Sequence, residues 1–176
     1  MGDDRSITSA FCEPGNILNL PIHRENLEIE EILWTSVTMT TGNCRSEDLP
    51  STNRIGSIGE GAVVYGLSPD QWLIFGEYTS VPDMVTTDHS DAWAVLRVSG
   101  DDAIKIMQAL SPVDMHPSVF GDDACFQTNF GGNRVLVART PGAKGVDCYD
   151  LIIQRSSARA VLEDVYDMAV HLRDQT

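Results

Sequence analysis

The sequence predicts an α+β fold, in which amphipathic helices cover one face of a mostly antiparallel sheet. Segments with strand-like patterns are joined by turn residues, and two further segments have apolar residues at helical spacing. Of the 176 residues, 42% are hydrophobic and 22% are charged, which is typical of a chain that folds around its own core. We therefore expect one α+β domain over residues 17–176, which could consist of two small packed halves with a boundary near residues 112–122.

The N-terminal third combines polar segments with one strand-like segment. Residues 1–16 are polar, which predicts a flexible arm. Within residues 27–41, the second half alternates between apolar and polar residues and predicts a strand, whereas the glutamate-rich first half fits either a strand or a short helix. Residues 42–61 are rich in Gly, Ser, Asn and Pro, so we expect a long surface loop.

A hairpin and a central strand follow. Residues 62–67 and 71–75 read as two strands, and the Ser-Pro-Asp sequence at 68–70 reads as the turn between them. Residues 93–98 are almost continuously apolar, which is typical of a strand that is buried on both faces. We therefore place this strand near the middle of the sheet.

The first helix is expected just after residues 99–102, whose oxygen-bearing and acidic side chains suit a helix N-terminus. Its apolar face consists of Ala103, Ile106, Met107 and Leu110. Pro112 cannot continue a helix, so the helix should end before it. Residues 112–122 then form a proline-containing connection.

The last third predicts three strands and a helix. Strands are expected at 124–130 and 134–139, joined by Gly131–Asn133, and again at 149–153. The final helix should begin near Ser156. One stripe of this helix is apolar at helical spacing: Ala158, Val161, Leu162, Val165, Ala169 and Leu172.

The charge of the chain excludes some classes of partner. It has 12 Lys and Arg against 26 Asp and Glu, a net charge of −14. Such a surface repels nucleic-acid phosphates and anionic lipid headgroups, so we expect neither nucleic acid nor a membrane as a partner. The N-terminus has no basic segment followed by an apolar one, and no apolar stretch approaches the length of a membrane span, which predicts a cytoplasmic protein.

The four cysteines have no metal-binding spacing. Cys12, Cys44, Cys125 and Cys148 include no Cys-x-x-Cys pair, and no histidine lies beside them at ligand spacing. They are expected to be small buried apolar residues. No metal site is assigned.

No catalytic or cofactor-binding residues are assigned either. The glycine-rich segment Gly56–Gly61 precedes a strand, whereas a dinucleotide loop precedes a helix, so it reads as a flexible loop. Asp88 and His89 are adjacent and would point to opposite faces of a strand. Asp114 and His116 would share a face if extended, which fits a catalytic pair and fits a capped loop as well.

Five runs together resemble the gamma subunit of heterotetrameric sarcosine oxidase, and they occur in the order of that family. The most specific runs are Asp-x-His-Pro-x-x-Phe, which ends at Phe120, and Arg-Ser-x-Ala-Arg, which begins at Arg155. The five runs are Gly66–Ile74, Asp88–Ala103, Leu110–Phe120, Cys125–Thr128 and Tyr149–Arg159.

The resemblance implies a fold similar to half of the folate-binding fold of the related aminomethyltransferases. It implies a non-catalytic gamma-type subunit that assembles with alpha, beta and delta subunits. That enzyme converts sarcosine to glycine, with hydrogen peroxide and methylene-tetrahydrofolate as further products. FAD, FMN, NAD, zinc and tetrahydrofolate are then expected on the partner subunits, and no cofactor on this chain.

Five residues are candidates for the subunit interface. Trp72 directly follows the hairpin turn, and a tryptophan on a subunit surface is a frequent hot spot. The other four lie in the two specific runs: Asp114, His116, Phe120 and Arg155.

The sequence departs from the family pattern in two places. In the aminomethyltransferases, acidic residues follow the glycine pair of the corresponding hairpin, and one of them is catalytic. Here Asn133 and Arg134 follow Gly131–Gly132, so no carboxylate is placed to hold a pterin-borne amine. The segment between Phe75 and Asp88 allows one helical turn at most, which is too short for the family's helix.

Two other functions stay open. A stand-alone folate- or pterin-binding module of the aminomethyltransferase type requires a concave apolar pocket with one carboxylate. An enzyme that uses Asp114 and His116 requires a cleft that brings both side chains within hydrogen-bond reach. The isolated chain could also form a homodimer, and the amine oxidised by the complex could be another N-methylated amine.

Overall fold

The computed structural model describes residues 9–11, 19–42, 49–59, 61–78, 83–142 and 145–173. These residues form two antiparallel sheets and two α-helices. The six-stranded sheet has the spatial order β1 (Ile22–Arg24), β2 (Leu27–Ile32), β8 (Trp93–Ser99), β11 (Asp147–Gln154), β10 (Asn133–Pro141) and β9 (Cys125–Phe130). The five-stranded sheet has the order β4 (Ile55–Ile58), β5 (Ala62–Ser68), β6 (Gln71–Phe75), β3 (Val37–Thr41) and β7 (Val85–Asp88).

The six-stranded sheet is the middle layer of the described fold. On β11, Leu151 and Ile153 pack in a cluster with both helices, while the alternate residue Ile152 packs in a second cluster with residues of the five-stranded sheet. This alternation follows from the two-residue period of a strand. Because both faces are covered, the central strand β8 is apolar over most of its length, as predicted for residues 93–98.

The predicted fold class is confirmed, with helices on one face of an antiparallel sheet. The structure adds that the opposite face packs on a second sheet. Strand β8 has β2 on one side and β11 on the other, so its predicted central place is also confirmed. Strands from before and after residues 112–122 are neighbours in the six-stranded sheet, so a domain boundary at that connection would divide one sheet.

Both helices form where the sequence predicts them, as α1 (Ala103–Leu110) and α2 (Ala158–Arg173). A short 3-10 turn, Arg155–Ser157, precedes α2. The capping prediction for α1 is wrong in one detail, because Asp102 makes no side-chain cap and its carboxylate pairs with Lys105 Nζ at 2.6 Å. The predicted apolar stripes face the core, with Leu110 and Leu172 at its margin.

Two segments differ from the predicted loops and helices. The glutamate-rich residues 27–32 form β2, because Leu27 and Ile29 alternate into the core. Ile55–Ile58, predicted as loop, forms β4, which pairs with β5. Gly56 and Ser57 give this segment the composition of a loop, and it becomes a strand because its backbone pairs with β5. Between Phe75 and Asp88, the described residues include β7 and no helix.

Part of the predicted N-terminal arm packs against the domain. Ala10 and Phe11 are 7% and 3% exposed, and the backbone N–H of Ala10 donates to Glu31 Oε1 at 2.8 Å. Residues 1–8 and 12–16 lie outside the described residues, and a flexible arm stays a prediction there.

Cys125 and Cys148 are free and buried, as predicted for small apolar residues, while Cys12 and Cys44 lie outside the described residues. Burial raises the pKa of Cys125 to about 12 and raises the pKa of Cys148, so both thiols stay protonated at neutral pH. In the part of the chain that the structure describes, no helix is both long and apolar enough to cross a bilayer.

Candidate functional site

Three of the five candidate interface residues lie on one connection, residues 111–122, which we call the strap. The strap crosses from α1 to the strand β9 and belongs to no helix or strand. Its inner side is anchored by Met115 and Phe120, which are 0% and 3% exposed. The strap is therefore an ordered surface segment that is fixed to the helix-side core.

Aromatic contacts and one buried hydrogen bond hold these anchors. The Phe120 ring meets Phe126 edge-on at 4.7 Å and stacks on Tyr149 at 6.4 Å. The Tyr149 hydroxyl donates to the carbonyl oxygen of Met115 at 3.1 Å. Burial raises the pKa of Tyr149 to about 12, so the hydroxyl remains a donor throughout the physiological range.

Arg139 ties down the C-terminal end of the strap. Its Nη1 atom donates to the carbonyl oxygen of Phe120 at 3.3 Å and pairs with Asp122 at 2.5 Å. Its Nη2 atom pairs with Asp147 at 3.0 Å. The arginine therefore joins the strap to β11.

The outer side of the strap carries two exposed valines beside polar residues. Val119 is 68% exposed and Val113 is 37% exposed. Asp114 and His116 are also exposed. Because the anchors fix the backbone, these side chains form a preordered surface, and ordering it for a partner costs little conformational entropy.

Asp114 and His116 each accept a hydrogen bond from a nearby backbone N–H of the strap. Asp114 Oδ1 accepts a hydrogen bond from the backbone N–H of His116 at 2.9 Å. His116 Nδ1 accepts from the backbone N–H of Ser118 at 3.2 Å. Both side chains stabilise local turns at the surface, as in the capped-loop alternative, and a catalytic role of the pair stays a hypothesis.

Trp72 lies on the outer face of the five-stranded sheet. Its side chain is 4% exposed, and its Nε1 atom donates to the carbonyl oxygen of Pro50 at 2.8 Å. The loop around Pro50 covers this sheet face. Trp72 therefore offers little surface to a partner, and its place in a subunit interface stays a prediction.

Arg155 lies at the junction of β11 and α2, away from the strap. Its backbone N–H donates to Ala92 at 2.8 Å, and its Nη2 atom donates to the carbonyl oxygen of Ser9 at 3.1 Å. It thus links the described N-terminal residues to the sheet. A role in partner contact stays a prediction for this residue as well.

The described residues show no catalytic or metal-binding constellation. No three His, Cys, Asp or Glu side chains among them are grouped to hold a metal ion. Asp88 Oδ1 accepts from the backbone and the hydroxyl of Ser90 at 3.0 and 2.7 Å, so it stabilises the turn after β7.

The glycine hairpin has a carboxylate nearby that the local sequence does not reveal. A side chain added at Gly131 would begin 2.9 Å from Asp164 Cγ, so Asp164 of α2 lies directly against the hairpin. Burial raises the pKa of Asp164, and the charges of Asp167 and Glu163 add to this effect. Only the packing of α2 brings this carboxylate to the hairpin.

The Asp164→Asn variant is expected to be more stable than the native chain at pH 7. The folded-state pKa of Asp164 is the higher one, so its ionised form destabilises the fold above that pKa. The gain should shrink as the pH falls through the raised pKa and vanish below the unfolded value of about 3.9. Thermal unfolding from pH 7 to pH 3.5 measures this trend. The control is Asp91→Asn, a matched change at an exposed aspartate. Equal behaviour of both variants would contradict the assignment.

The described surface includes several concave regions. One, of about 70 Å³, includes Trp34 and Arg155. A groove of about 360 Å³ lies between the β1–β2 turn and the helices and includes Glu25 and Asp102. A third, of about 170 Å³, lies between the two sheets and includes Trp93.

The comparisons with known proteins find solved structures with the same fold. No family model and no curated protein sequence matches the chain. A chain of the heterotetrameric sarcosine oxidase from Corynebacterium sp. U-96, solved in complex with pyrrole 2-carboxylate, superposes with a TM-score of 0.70 at 19% identity. The match covers 84% of this chain and 86% of that chain. The protein therefore has the fold of a chain of heterotetrameric sarcosine oxidase, which confirms at the level of the fold the resemblance seen in the sequence.

Proposed function

We propose that this chain is a non-catalytic, gamma-type subunit of a heterotetrameric sarcosine oxidase. The observation that supports this most is the shared fold over 84% of the chain with a protein that is itself a heterotetramer. The order of the five sequence runs points to the gamma subunit.

In this proposal the chemistry belongs to the partners. The alpha, beta and delta subunits bind FAD, FMN, NAD, zinc and tetrahydrofolate. The complex demethylates sarcosine oxidatively in the cytoplasm and yields glycine, hydrogen peroxide and methylene-tetrahydrofolate. This chain contributes a folded surface that completes the assembly.

We assign the strap as the partner-binding surface. Its exposed valines supply apolar area, while its buried anchors and Arg139 keep that area in place. Side chains that are fixed before binding lose little conformational entropy when a partner covers them. In the isolated chain, the same surface could support a homodimer.

The test is a pull-down of the tagged chain from its native host. The native chain should retain two or three larger chains, and the eluate should be yellow and show sarcosine-dependent peroxide formation. The variant Val119→Asp should retain at least about tenfold less flavin, because a charge replaces an apolar contact at the interface.

A matched control separates the strap from general surface effects. Val85, on β7, is also 68% exposed, so Val85→Asp makes the same change at equal exposure on the other sheet. It should retain flavin and peroxide activity at the native level. A colourless eluate from the native chain would overturn the subunit proposal, and equal losses in both variants would overturn the assignment of the strap.

A pterin-binding module is the second candidate function, and the groove beside the helices favours it. The groove of about 360 Å³ combines the apolar Leu27, Ala169 and Leu172 with the carboxylates of Glu25 and Asp102. Of these carboxylates, Asp102 is already paired with Lys105, which leaves Glu25 to bind a pterin amine.

Calorimetry with tetrahydrofolate tests this second function. Binding that weakens about tenfold in Glu25→Gln would support it, since a charged hydrogen bond is lost. Absence of heat at high ligand concentration would remove the module from consideration.

A further inference from the structure

The cavity between the two sheets is lined mainly by apolar side chains, and the proposed subunit role assigns it no ligand. It lies where β8 and β10 begin, with a volume of about 170 Å³. Trp93 and Leu136 line it from the six-stranded sheet, and Met39 and Leu67 line it from the five-stranded sheet. A dry cavity of about 150 Å³ holds a benzene-sized molecule, so an apolar group of that size fits here.

One wall of this cavity has a buried hydrogen-bond donor without a partner. Trp93 Nε1 is buried and has no acceptor among the described residues. By contrast, Trp72 Nε1, on the outer face of the five-stranded sheet, donates to Pro50. A buried N–H without an acceptor costs free energy, which is recovered when a ligand or a water supplies the acceptor.

An arginine without a carboxylate partner lies at the mouth of the same cavity. Arg134 donates from Nε and Nη2 to a neutral acceptor, the amide oxygen Oε1 of Gln127. No ion pair joins Arg134 to a described carboxylate, although acidic residues outnumber basic ones by 26 to 12 in the sequence. The residues that line the cavity include no Asp or Glu, so the mouth attracts anions.

We propose that this cavity binds a small monocarboxylate with an apolar body. The carboxylate group pairs with the Arg134 guanidinium, for which a planar anion is the preferred partner. The apolar body contacts Met39, Leu67 and Leu136 and lies against the Trp93 side chain. Gln127 holds the guanidinium in place while the site is empty of ligand.

Benzoate is the probe, and the indole N–H resonances of the full-length chain are the readout. The three tryptophans give three indole signals in a ¹⁵N–¹H spectrum, and Trp93→Phe assigns one of them. Titration with benzoate should shift the Trp93 signal in a saturable manner. The Trp72 signal should stay in place, since its donor is already bonded. Benzamide, which has the same body without the charge, should bind at least about tenfold more weakly.

Two variants complete the test. Arg134→Gln should weaken benzoate binding about tenfold or more, because it removes the charged partner. Arg159→Gln changes an arginine that is exposed on α2 and should leave binding unchanged. The proposal is overturned if the Trp93 signal does not respond to benzoate, in which case water alone fills the cavity. It is also overturned if both arginine variants bind benzoate as the native chain does.

Discussion

Arg97→Met is expected to destabilise the fold by about 3 kcal/mol, because it leaves the Asp150 carboxylate buried without its partner. The two residues face each other on β8 and β11, and the Asp150 side chain is 5% exposed. Arg97 Nε and Nη2 donate to the two carboxylate oxygens at 2.7 and 2.9 Å. The hydrogen bond to Asp150 raises the pKa of Arg97, so the guanidinium stays charged in the folded state.

Urea unfolding followed by circular dichroism measures this effect. The double variant Arg97→Met/Asp150→Leu should recover most of the loss, since apolar residues of similar size can replace a buried ion pair. The exposed pair of Arg159 and Glu163 provides the control, and Arg159→Met should cost no more than about 0.5 kcal/mol. Equal stability of the Arg97 and Arg159 variants would contradict the importance of the buried pair.

Gly100→Ala is expected to cost about 3 kcal/mol for two reasons that act together. Gly100 has a φ angle of +119°, a region that side-chain-bearing residues rarely adopt. A methyl group there would also lie 2.7 Å from the carbonyl carbon of Asn26, in the turn that joins β1 and β2. That contact is with backbone, which cannot rotate away as a side chain would.

The Gly132→Ala variant distinguishes the effect of the backbone angle from the effect of the steric contact. Gly132 has a φ angle of +89°, but a methyl group there would meet nothing within 4 Å. Its substitution should cost only about 1 kcal/mol, from the backbone angle alone. Thermal unfolding of the two variants measures the difference in stability. If the Gly100 variant is no less stable than the Gly132 variant, the Asn26 backbone moves away from the methyl group at little cost in free energy.

Elements with a strong local pattern were predicted closely from the sequence. The hairpin of β5 and β6, the central strand β8 and both helices appear within a few residues of their expected bounds. Each has a period or turn residues that act over short distances. Strand β4 was missed because its Ile-Gly-Ser-Ile sequence resembles a loop, and pairing with β5 makes it a strand.

The candidate functional residues were harder to find for a related reason. The polar pattern of the strap indicated surface loops at Asp114 and His116, but not that Phe120 is buried as an anchor. Trp93 and Arg134 are 41 residues apart in the chain and line the same cavity only because β8, β11 and β10 are neighbours. The sequence feature that points to this site is Arg134, an arginine in the β9–β10 hairpin with no acidic residue near it in the sequence of that hairpin.

By itself the sequence determined the fold class, the acidic surface, the positions of the helices and the resemblance to one family. These properties depend on composition and on spacing within single segments. The tertiary structure alone decided that two sheets pack face to face, that Asp150 meets Arg97, that Trp72 is covered and that a cavity opens between the sheets. Such contacts join residues far apart in the chain, and their free energy depends on strand register and packing, which no single segment encodes.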